Sequence, residues 1–445
     1  MEWYFSRLVD FGHLVAMREK TGSSSYIQLV NQTERFVSLL NRSNVGIGDV
    51  VVIRGKSNSG MFCAILAVMR IGAIAVPMTE SSPISTQVAV EISKADFTFM
   101  VDTETVAEIE NRVSETYQLI QTMRKEKIGG LILFSSGSTG IPKAILYDSH
   151  TLLEKFKPIR KPINAVLFLM MDHFGGLNTV FSVTSCGGEA IVLEDRSVDT
   201  VCEAIQRHKV KVLPVTPSFI RMFILSGAVS RFDLSSLNKI TFGTEPMTKS
   251  TLEQLRKYFP NVQLQQTYGL SEVGVLSSKS KPDGSLWMKI GGDGFDWKVK
   301  LGTLWIRSNF RMRGYLNAEA EFDSEGYFNT QDEVILDGDY IQVLGRVSDV
   351  INVGGEKVYP IEIENFLESI ENIVDARVYG EPNSLLGQVI SVDLVIEHPE
   401  DLSDLRNRIR GICKVSLGRS KVPSKIRIVD SIAVSTRLKK SRGNV

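Results

Sequence analysis

The segment from Ser135 to Lys143 carries the residue types best suited to chemistry on an anion: Ser-Ser-Gly-Ser-Thr-Gly-Ile-Pro-Lys. It follows an apolar run, Leu131 to Phe134, that predicts a buried strand. Glycines and small hydroxyl residues in succession expose backbone N–H groups, and the hydroxyls and one ammonium add donors, so the segment could bind a polyphosphate. It is not a Walker A loop, because Lys143 follows a proline and Gly-Lys-Ser/Thr is absent at the required offset. A flexible Ser/Gly turn is the alternative.

The string SSGSTGIPK resembles the phosphate-loop signature of the acyl-adenylate-forming (AMP-binding) superfamily, which includes acyl-CoA synthetases, adenylation domains of nonribosomal peptide synthetases and firefly luciferase. Further strings similar to the family's motifs follow in the family's order. The resemblance implies ATP and Mg²⁺ as cofactors and the conversion of a carboxylic acid to acyl-AMP with release of pyrophosphate. In this loop it assigns nucleotide binding to Ser135, Ser136, Gly137, Ser138, Thr139, Gly140 and Lys143.

A second string, Tyr-Gly-Leu-Ser-Glu, is similar to the family's Tyr-Gly-x-Thr-Glu segment. An aromatic ring can stack on adenine, a glycine permits close approach, a hydroxyl can contact the α-phosphate and a carboxylate can hold Mg²⁺. The resemblance assigns these roles to Tyr268, Gly269, Ser271 and Glu272, with serine in place of the usual threonine. Without the resemblance, the string is an ordinary loop with an exposed glutamate.

Two more strings concern the adenosine part of the nucleotide. Phe-Gly-Thr-Glu-Pro-Met resembles the stretch that lines the family's adenine pocket, and it places Gly243, Thr244 and Glu245 near the base. Gly-Tyr-Phe-Asn-Thr-Gln-Asp is similar to the motif whose aspartate binds the ribose hydroxyls, which implies that role for Asp332 because a carboxylate accepts both donors. Gln331 replaces the customary glycine, and an acidic surface turn is the alternative.

The string Gly-Arg-Val-Ser-Asp resembles the junction between the family's large and small domains. Arg346 matches the arginine that contacts ribose or phosphate. Ser348 stands where the family carries the aspartate or lysine about which the small domain rotates, and Asp349 is adjacent. We therefore predict a large nucleotide- and acid-binding domain at 1–345 and a small, mobile lid domain at 346–445.

The C-terminal string resembles the family segment whose lysine reaches the substrate carboxylate and the α-phosphate. Alignment selects Lys439 as this catalytic lysine. Leu438 replaces a glycine and a customary proline is missing, so Lys440 is a second candidate. A solvated basic tail is the alternative reading.

The acyl pocket is predicted from Asp-His-Phe-Gly-Gly, 172 to 176. The resemblance places His173 near the substrate carboxylate, with Phe174, Gly175 and Gly176 as pocket wall. Amino-acid-activating relatives carry an aspartate one position after this histidine, where the chain has phenylalanine, so an acid without an α-amine is expected. Asp172 lies on the other side of His173, and an alignment shifted by one residue would reverse this expectation.

These residues suit a reaction that depends on positioning and charge neutralisation. The acid is already ionised at pH 7, so no general base is required. The leading hypothesis is a ligase that forms acyl-AMP and then a thioester on CoA or on a carrier-protein phosphopantetheine. The alternatives are an amino-acid-activating or amide-forming ligase, and a weakened homologue that acts as a nucleotide-binding module.

Alternating apolar strands and amphipathic helices must position these motifs. Strings such as DVVVIRG, AIAVPM and KVLPVT, separated by helical stretches, predict two mostly parallel sheets covered by helices. Short strands and turns from about Gly284 predict a β-rich subdomain, and renewed alternation after Gly345 predicts a small C-terminal α+β domain. The predicted fold class is therefore α/β.

Composition limits the remaining possibilities. The chain has 445 residues, 43% of them hydrophobic, and 51 basic side chains balance 51 acidic ones. A length of several domains with ample apolar material excludes disorder, and the neutral total argues against a generally basic nucleic-acid binder. Four widely spaced cysteines, no signal-peptide pattern and no membrane-length apolar segment lead us to expect a soluble cytoplasmic protein without a membrane span. The oligomeric state is not predicted.

Overall fold

The computed structural model describes residues 1–109, 116–135, 141–435 and 440. The helices of this part of the chain are α1 Glu2–Phe11, α2 Tyr26–Arg42, α3 Ser59–Arg70, α4 Thr86–Ser93, α5 Gln118–Glu126, α6 Ser149–Glu154, α7 Phe174–Thr184, α8 Val198–His208, α9 Pro217–Leu225, α10 Lys249–Tyr258, α11 Pro360–Leu367 and α12 Leu402–Ser416.

The strands of the N-terminal two thirds are β1 Val15–Glu19, β2 Gly22–Ser25, β3 Val50–Gly55, β4 Ile74–Thr79, β5 Phe97–Met100, β6 Thr105–Glu108, β7 Gly130–Ser135, β8 Lys143–Asp148, β9 Asn164–Leu167, β10 Glu189–Val192, β11 Val212–Val215, β12 Lys239–Phe242, β13 Gln263–Gln266, β14 Gly269–Leu270 and β15 Gly274–Val275. Those that follow are β16 Ser277–Ser280, β17 Met288–Gly291, β18 Phe295–Lys300, β19 Thr303–Ser308, β20 Gly314–Tyr315, β21 Phe328–Asp337, β22 Tyr340–Arg346, β23 Ile351–Val353, β24 Glu356–Val358, β25 Ile373–Asn383, β26 Gly387–Ile396 and β27 Lys425–Ile428.

Two mostly parallel sheets form the large domain. One has the order β13-β12-β11-β9-β10-β1-β2 and is parallel except for the β1–β2 pair. The other has the order β20-β8-β7-β4-β3-β5-β6, and its central strands β7, β4, β3 and β5 are parallel. Strand β4 is buried throughout, as expected where helices cover both faces of a parallel sheet.

Helix α3 is enclosed on every side. All residues from Met61 to Met69 are at most 1% exposed, and Asn58 caps the helix by accepting from the Met61 N–H at 3.1 Å. These residues share one hydrophobic core with Met17 of the first sheet and Ile53 of the second. A helix that is apolar all round must be covered all round, so α3 joins the two sheets into one core.

An antiparallel sheet completes the large domain, with the order β16-β17-β22-β21-β19-β18. Its apolar residues, such as Met288 and Ile306, belong to the same core as the two parallel sheets. The β-rich subdomain predicted from about Gly284 is therefore present, and it begins a few residues earlier, at Ser277.

The small domain has its own sheet, ordered β24-β23-β26-β25, with β27 parallel to β26. Its separate core includes Ile363 of α11, Val378 and Val392 of the sheet, and Ile409 of α12. The predicted fold class, an α/β large domain with a β-rich subdomain and a smaller C-terminal domain, is confirmed.

Parallel strands bring several predicted motifs to one edge. Strands β11, β12 and β13 are neighbours and run in the same direction. The residues directly after them are Thr216, Gly243 and Thr267. Open α/β sheets bind ligands at the carboxyl ends of their strands, so the strand order explains why distant motifs meet.

The four cysteines are buried free thiols. Within the described residues, no helix combines the length and the hydropathy needed to cross a membrane.

One partly buried lysine makes a testable contribution to stability. Lys155, after α6, donates to Asn178 Oδ1 at 2.6 Å, and burial lowers its pKa to about 7. The unfolded state keeps its proton to higher pH, so between about pH 7 and 10 the unfolded state binds more protons and stability rises with pH. Lys155→Met should therefore raise the free energy of unfolding by on the order of 2 kcal/mol at pH 7 and below, with the gain shrinking towards pH 10.

Thermal unfolding of both proteins from pH 6 to 10 measures this difference. Lys157→Met, two residues along in an exposed pair with Glu154 at 3.2 Å, is the control and should change the midpoint little at every pH. A gain in the free energy of unfolding of Lys155→Met that does not depend on pH would contradict a lowered pKa for Lys155.

Candidate active site

A cleft of about 1310 Å³ lies between the large and small domains. The ends of the first parallel sheet, the antiparallel sheet and helix α11 of the small domain contribute to its walls. The predicted site residues that line it are Ser135, Lys143, His173, Phe174, Gly175, Thr244, Glu245, Tyr268, Gly269, Ser271, Glu272, Asp332 and Arg346. Lys440 lines it as well. The predictions for residues 136–140 and for Lys439 lie outside the described residues.

Two predicted glycines pack against backbone and do not line the cleft. A Cβ on Gly176 would lie 2.0 Å from the carbonyl oxygen of Met170, so this glycine lets α7 approach the preceding loop. A Cβ on Gly243 would lie 2.4 Å from Thr267 Oγ1, so it permits close contact between β12 and the segment after β13. Both positions are required to be glycine by packing.

Tyr268, Asp332 and Arg346 form one hydrogen-bonded group. The Tyr268 hydroxyl donates to Asp332 Oδ2 at 2.5 Å, and Arg346 Nε lies 3.3 Å from Asp332 Oδ1. Register places them together, since Asp332 of β21 pairs with Arg346 of β22. Burial raises the pKa of Asp332, while the guanidinium of Arg346 opposes the shift. The carboxylate that the sequence associated with ribose is thus held in a fixed orientation.

Glu272 is oriented by a residue that the sequence reasoning missed. The Tyr315 hydroxyl donates to Glu272 Oε1 at 2.7 Å, and burial together with this carboxylate raises the pKa of Tyr315. Lys143 Nζ lies 5.0 Å from the Tyr315 ring centroid. Tyr315 therefore connects the end of the Gly-rich segment to Glu272. The only local signal was the short string Arg-Gly-Tyr-Leu.

Glu245 lines the cleft, but backbone donors occupy its carboxylate. It accepts from the Ser218 N–H at 2.7 Å and from the Lys440 N–H at 2.8 Å. The side chain of Lys440 is 9% exposed and its ammonium pairs with Asp375 of the small domain at 3.1 Å. Glu245 thus ties the C-terminal segment to the mouth of the cleft.

His173 and Asp172 have different surroundings. His173 is the N-cap of α7, and its Nδ1 accepts from the Gly175 N–H at 3.1 Å. The Asp172 carboxylate is buried and accepts from Thr79 Oγ1 at 3.0 Å and from the Ser82 hydroxyl. It does not line the cleft, so the aspartate that would have reversed the expected substrate class is engaged elsewhere.

Two family models match the chain in order. Residues 7–316 match the model described as AMP-binding enzyme. The chain belongs to this family. Residues 362–440 of this AMP-binding enzyme match the family's C-terminal domain. It is an AMP-forming ligase: it activates a carboxylic acid as acyl-AMP and then transfers the acyl group to a thiol.

Relatives of this AMP-binding enzyme span most of its length. It is 26% identical to a 4-coumarate–CoA ligase-like protein of Arabidopsis thaliana, over 84% of this chain and 75% of that protein. It is also 26% identical to the 2-succinylbenzoate–CoA ligase of Oceanobacillus iheyensis, over 97% of this chain and 95% of that protein. The solved o-succinylbenzoate–CoA synthetase of Bacillus subtilis, in complex with its acyl-adenylate intermediate, shares its fold with a TM-score of 0.78 at 22% identity, covering 98% and 96% of the chains.

Proposed function

We propose that the enzyme joins a carboxylic acid without an α-amine to coenzyme A through an acyl-AMP intermediate. The observation that carries this proposal is that one cleft holds the Tyr268, Asp332 and Arg346 group, the Glu272 carboxylate and the apolar wall of Phe174. The names of the curated relatives support CoA as the thiol. A carrier-protein phosphopantetheine presents the same thiol chemistry and is the alternative acceptor.

The nucleotide-binding roles follow from side-chain chemistry. Tyr268 and Arg346 fix the orientation of the Asp332 carboxylate. A carboxylate in a fixed orientation can accept hydrogen bonds from the ribose hydroxyls. The Tyr268 ring lines the cleft and offers a face for adenine. Lys143 would neutralise phosphate charge, and the residues at 136–140 would donate hydrogen bonds to the phosphate oxygens. Glu245 holds the C-terminal segment, so only the backbone of the 243–245 segment is assigned to the base.

The donor set at Glu272 fits Mg²⁺. This ion is usually bound by one or two carboxylates together with phosphate oxygens and water. Glu272 supplies a carboxylate that Tyr315 orients, and Ser271 supplies a hydroxyl beside it. Within the described residues, no cluster of three or more His, Cys, Asp or Glu side chains forms an all-protein metal cage. We therefore assign Mg²⁺ to Glu272, where it would neutralise the ATP phosphates.

The acid would lie against His173, Phe174 and Gly175. Phe174 stands where an amine-binding aspartate would be expected, and Asp172 is occupied by Thr79 and Ser82. Neither position therefore offers a carboxylate to a substrate ammonium in the cleft. His173, fixed as the N-cap of α7, is proposed to contact the substrate carboxylate.

The second step requires the thiol to reach the acyl-AMP carbonyl. We propose that residues 346–349, from the last residue of β22 towards β23, form the hinge between a large domain at 1–345 and a mobile lid at 346–445. The Ser348 hydroxyl bonds Asp349 Oδ1 at 3.1 Å, a local contact that gives this short connection a defined shape. The lid would also carry Lys439, the proposed catalytic lysine.

ATP–pyrophosphate exchange over a panel of aryl, short aliphatic, long aliphatic and amino acids tests the proposal. We expect exchange with one class of acid that lacks an α-amine, and thioester formation when CoA is added. Exchange confined to amino acids would support the amino-acid-activating alternative. Tight nucleotide binding without exchange for any acid would support the weakened homologue.

A further inference from the structure

A buried cluster of charged side chains joins the two domains beside the cleft. Arg221 of α9 pairs with Glu368 at 3.1 Å and also with Asp375, and both carboxylates belong to the small domain. Lys440 pairs with the same Asp375 at 3.1 Å and donates to the Ala376 carbonyl oxygen at 2.6 Å. The four charged side chains are between 1% and 11% exposed. The cluster is thus nearly closed to solvent and holds two positive and two negative groups.

Polar contacts around α10 extend this junction. The Ser250 hydroxyl donates to Glu368 Oε2 at 2.9 Å, and the Lys249 N–H donates to Asn365 Oδ1 at 2.7 Å. Burial raises the pKa of Glu368, while the guanidinium of Arg221 opposes the shift. In each contact one partner comes from the large domain and the other from the small domain.

A chain of contacts leads from this cluster to the active site. Arg221 holds Asp375, Asp375 holds the Lys440 ammonium, and the Lys440 N–H is bound by Glu245 at the mouth of the cleft. Lys440 is therefore held at two points, its N–H by the large domain and its ammonium by the small domain. Arg221 is the large-domain cation of this arrangement.

We propose that Arg221 is a positioning residue for the adenylation step: it docks the small domain so that Lys440 stays at the mouth of the cleft while acyl-AMP forms. This inference rests on the proposed function. On the proposed function, adenylation needs the Lys439 ammonium at the cleft. Thioester formation needs the acyl-AMP carbonyl to be open to a thiol. Docking of the small domain therefore does not assist the second step.

Buried ion pairs suit a contact that must form and separate. The gain from pairing is largely offset by the desolvation of the charges, which recover their hydration when the domains part. Removing Arg221 leaves two buried carboxylates with only Lys440, and an uncompensated buried charge strongly disfavours docking. The small domain has its own core. The loss of Arg221 should therefore weaken docking of the two domains without unfolding either of them.

Arg221→Met tests the proposal through two half-reactions. We expect ATP–pyrophosphate exchange to fall about 10-fold to 100-fold. Thioester formation from supplied acyl-AMP and CoA should stay within about threefold of the wild type or increase. Small-angle scattering should show a larger radius of gyration, because the small domain is no longer docked. Arg231→Met is the matched control: it removes an exposed pair with Asp199 at 2.6 Å and should leave all three measurements unchanged.

Glu368→Gln, on the opposite side of the contact, should show the same division between half-reactions and decides the matter if Arg221→Met does not fold. Equal loss of both half-reactions, or an unchanged radius of gyration in both variants, would overturn the positioning role. If the wild type shows no exchange with any acid, the proposed function fails, and a larger radius of gyration in the variants would confine Arg221 to domain docking.

Discussion

Lys439→Ala should lower the rate of ATP–pyrophosphate exchange by about 100-fold to 1000-fold, as expected when a charged donor is removed from a developing anionic centre. The reason is that the attacking carboxylate and the α-phosphate are both anions, and this ammonium is assigned to lie between them. Thioester formation from supplied acyl-AMP should change little, because the phosphate–carboxylate repulsion has by then been overcome.

Lys440→Ala is the adjacent control for this variant. The Lys440 ammonium is bound to Asp375 and to the Ala376 carbonyl oxygen, both within the small domain, so its loss should loosen Lys440 from the small-domain sheet and reduce exchange by a smaller factor. If Lys440→Ala loses more exchange activity than Lys439→Ala, and Lys439→Ala keeps nearly the wild-type rate, then Lys440 is the catalytic lysine.

Glu272→Gln should reduce exchange on the order of 100-fold and raise the Mg²⁺ concentration needed for half-maximal exchange. Glutamine keeps the size of the side chain and can still accept from the Tyr315 hydroxyl, but it lacks the charge that holds the cation. Exchange rates measured over a Mg²⁺ titration at saturating ATP and acid give both quantities.

Tyr315→Phe separates charge from orientation at the same site. It removes the hydroxyl that donates to Glu272 at 2.7 Å and leaves the carboxylate, so its effect should be smaller and should leave the Mg²⁺ requirement nearly unchanged. An unaltered Mg²⁺ requirement in Glu272→Gln would contradict the assignment of Mg²⁺ to Glu272.

The fold and the site differ in how far they follow from sequence. The two parallel sheets were predictable because apolar strand segments and helical periodicity are local patterns, and burial of β4 and α3 follows directly from them. Most of the residues that line the cleft were predictable because they occur in short strings that resemble the family's motifs in sequence and order. Gly176 packs against Met170 and does not line the cleft, which local sequence could not reveal because a glycine next to a pocket residue can serve packing alone.

Long-range polar partners could not be predicted. Arg221 lies within the apolar string Pro-Ser-Phe-Ile-Arg-Met-Phe-Ile-Leu, and its partner Asp375 is 154 residues away. Asp172 and Ser82 are 90 residues apart. The chain has 51 basic and 51 acidic side chains, so charge alone does not predict which of them form ion pairs. The three-dimensional arrangement of the helices and strands determines these pairs.

Phe174 has two roles that constrain each other. It lines the cleft against which the acid is proposed to lie, and it also belongs to the core that surrounds α3 and joins the two parallel sheets to the six-stranded antiparallel sheet. Its ring centroid lies 5.4 Å from that of Tyr147, which is fully buried, and the two ring planes are tilted by 30°. Enlarging the pocket by truncating Phe174 would therefore open a cavity in the same core, at a typical cost of about 3–5 kcal/mol. Evolution or engineering of a new acid preference at this position should thus require compensating, stabilising substitutions elsewhere before the new specificity can persist.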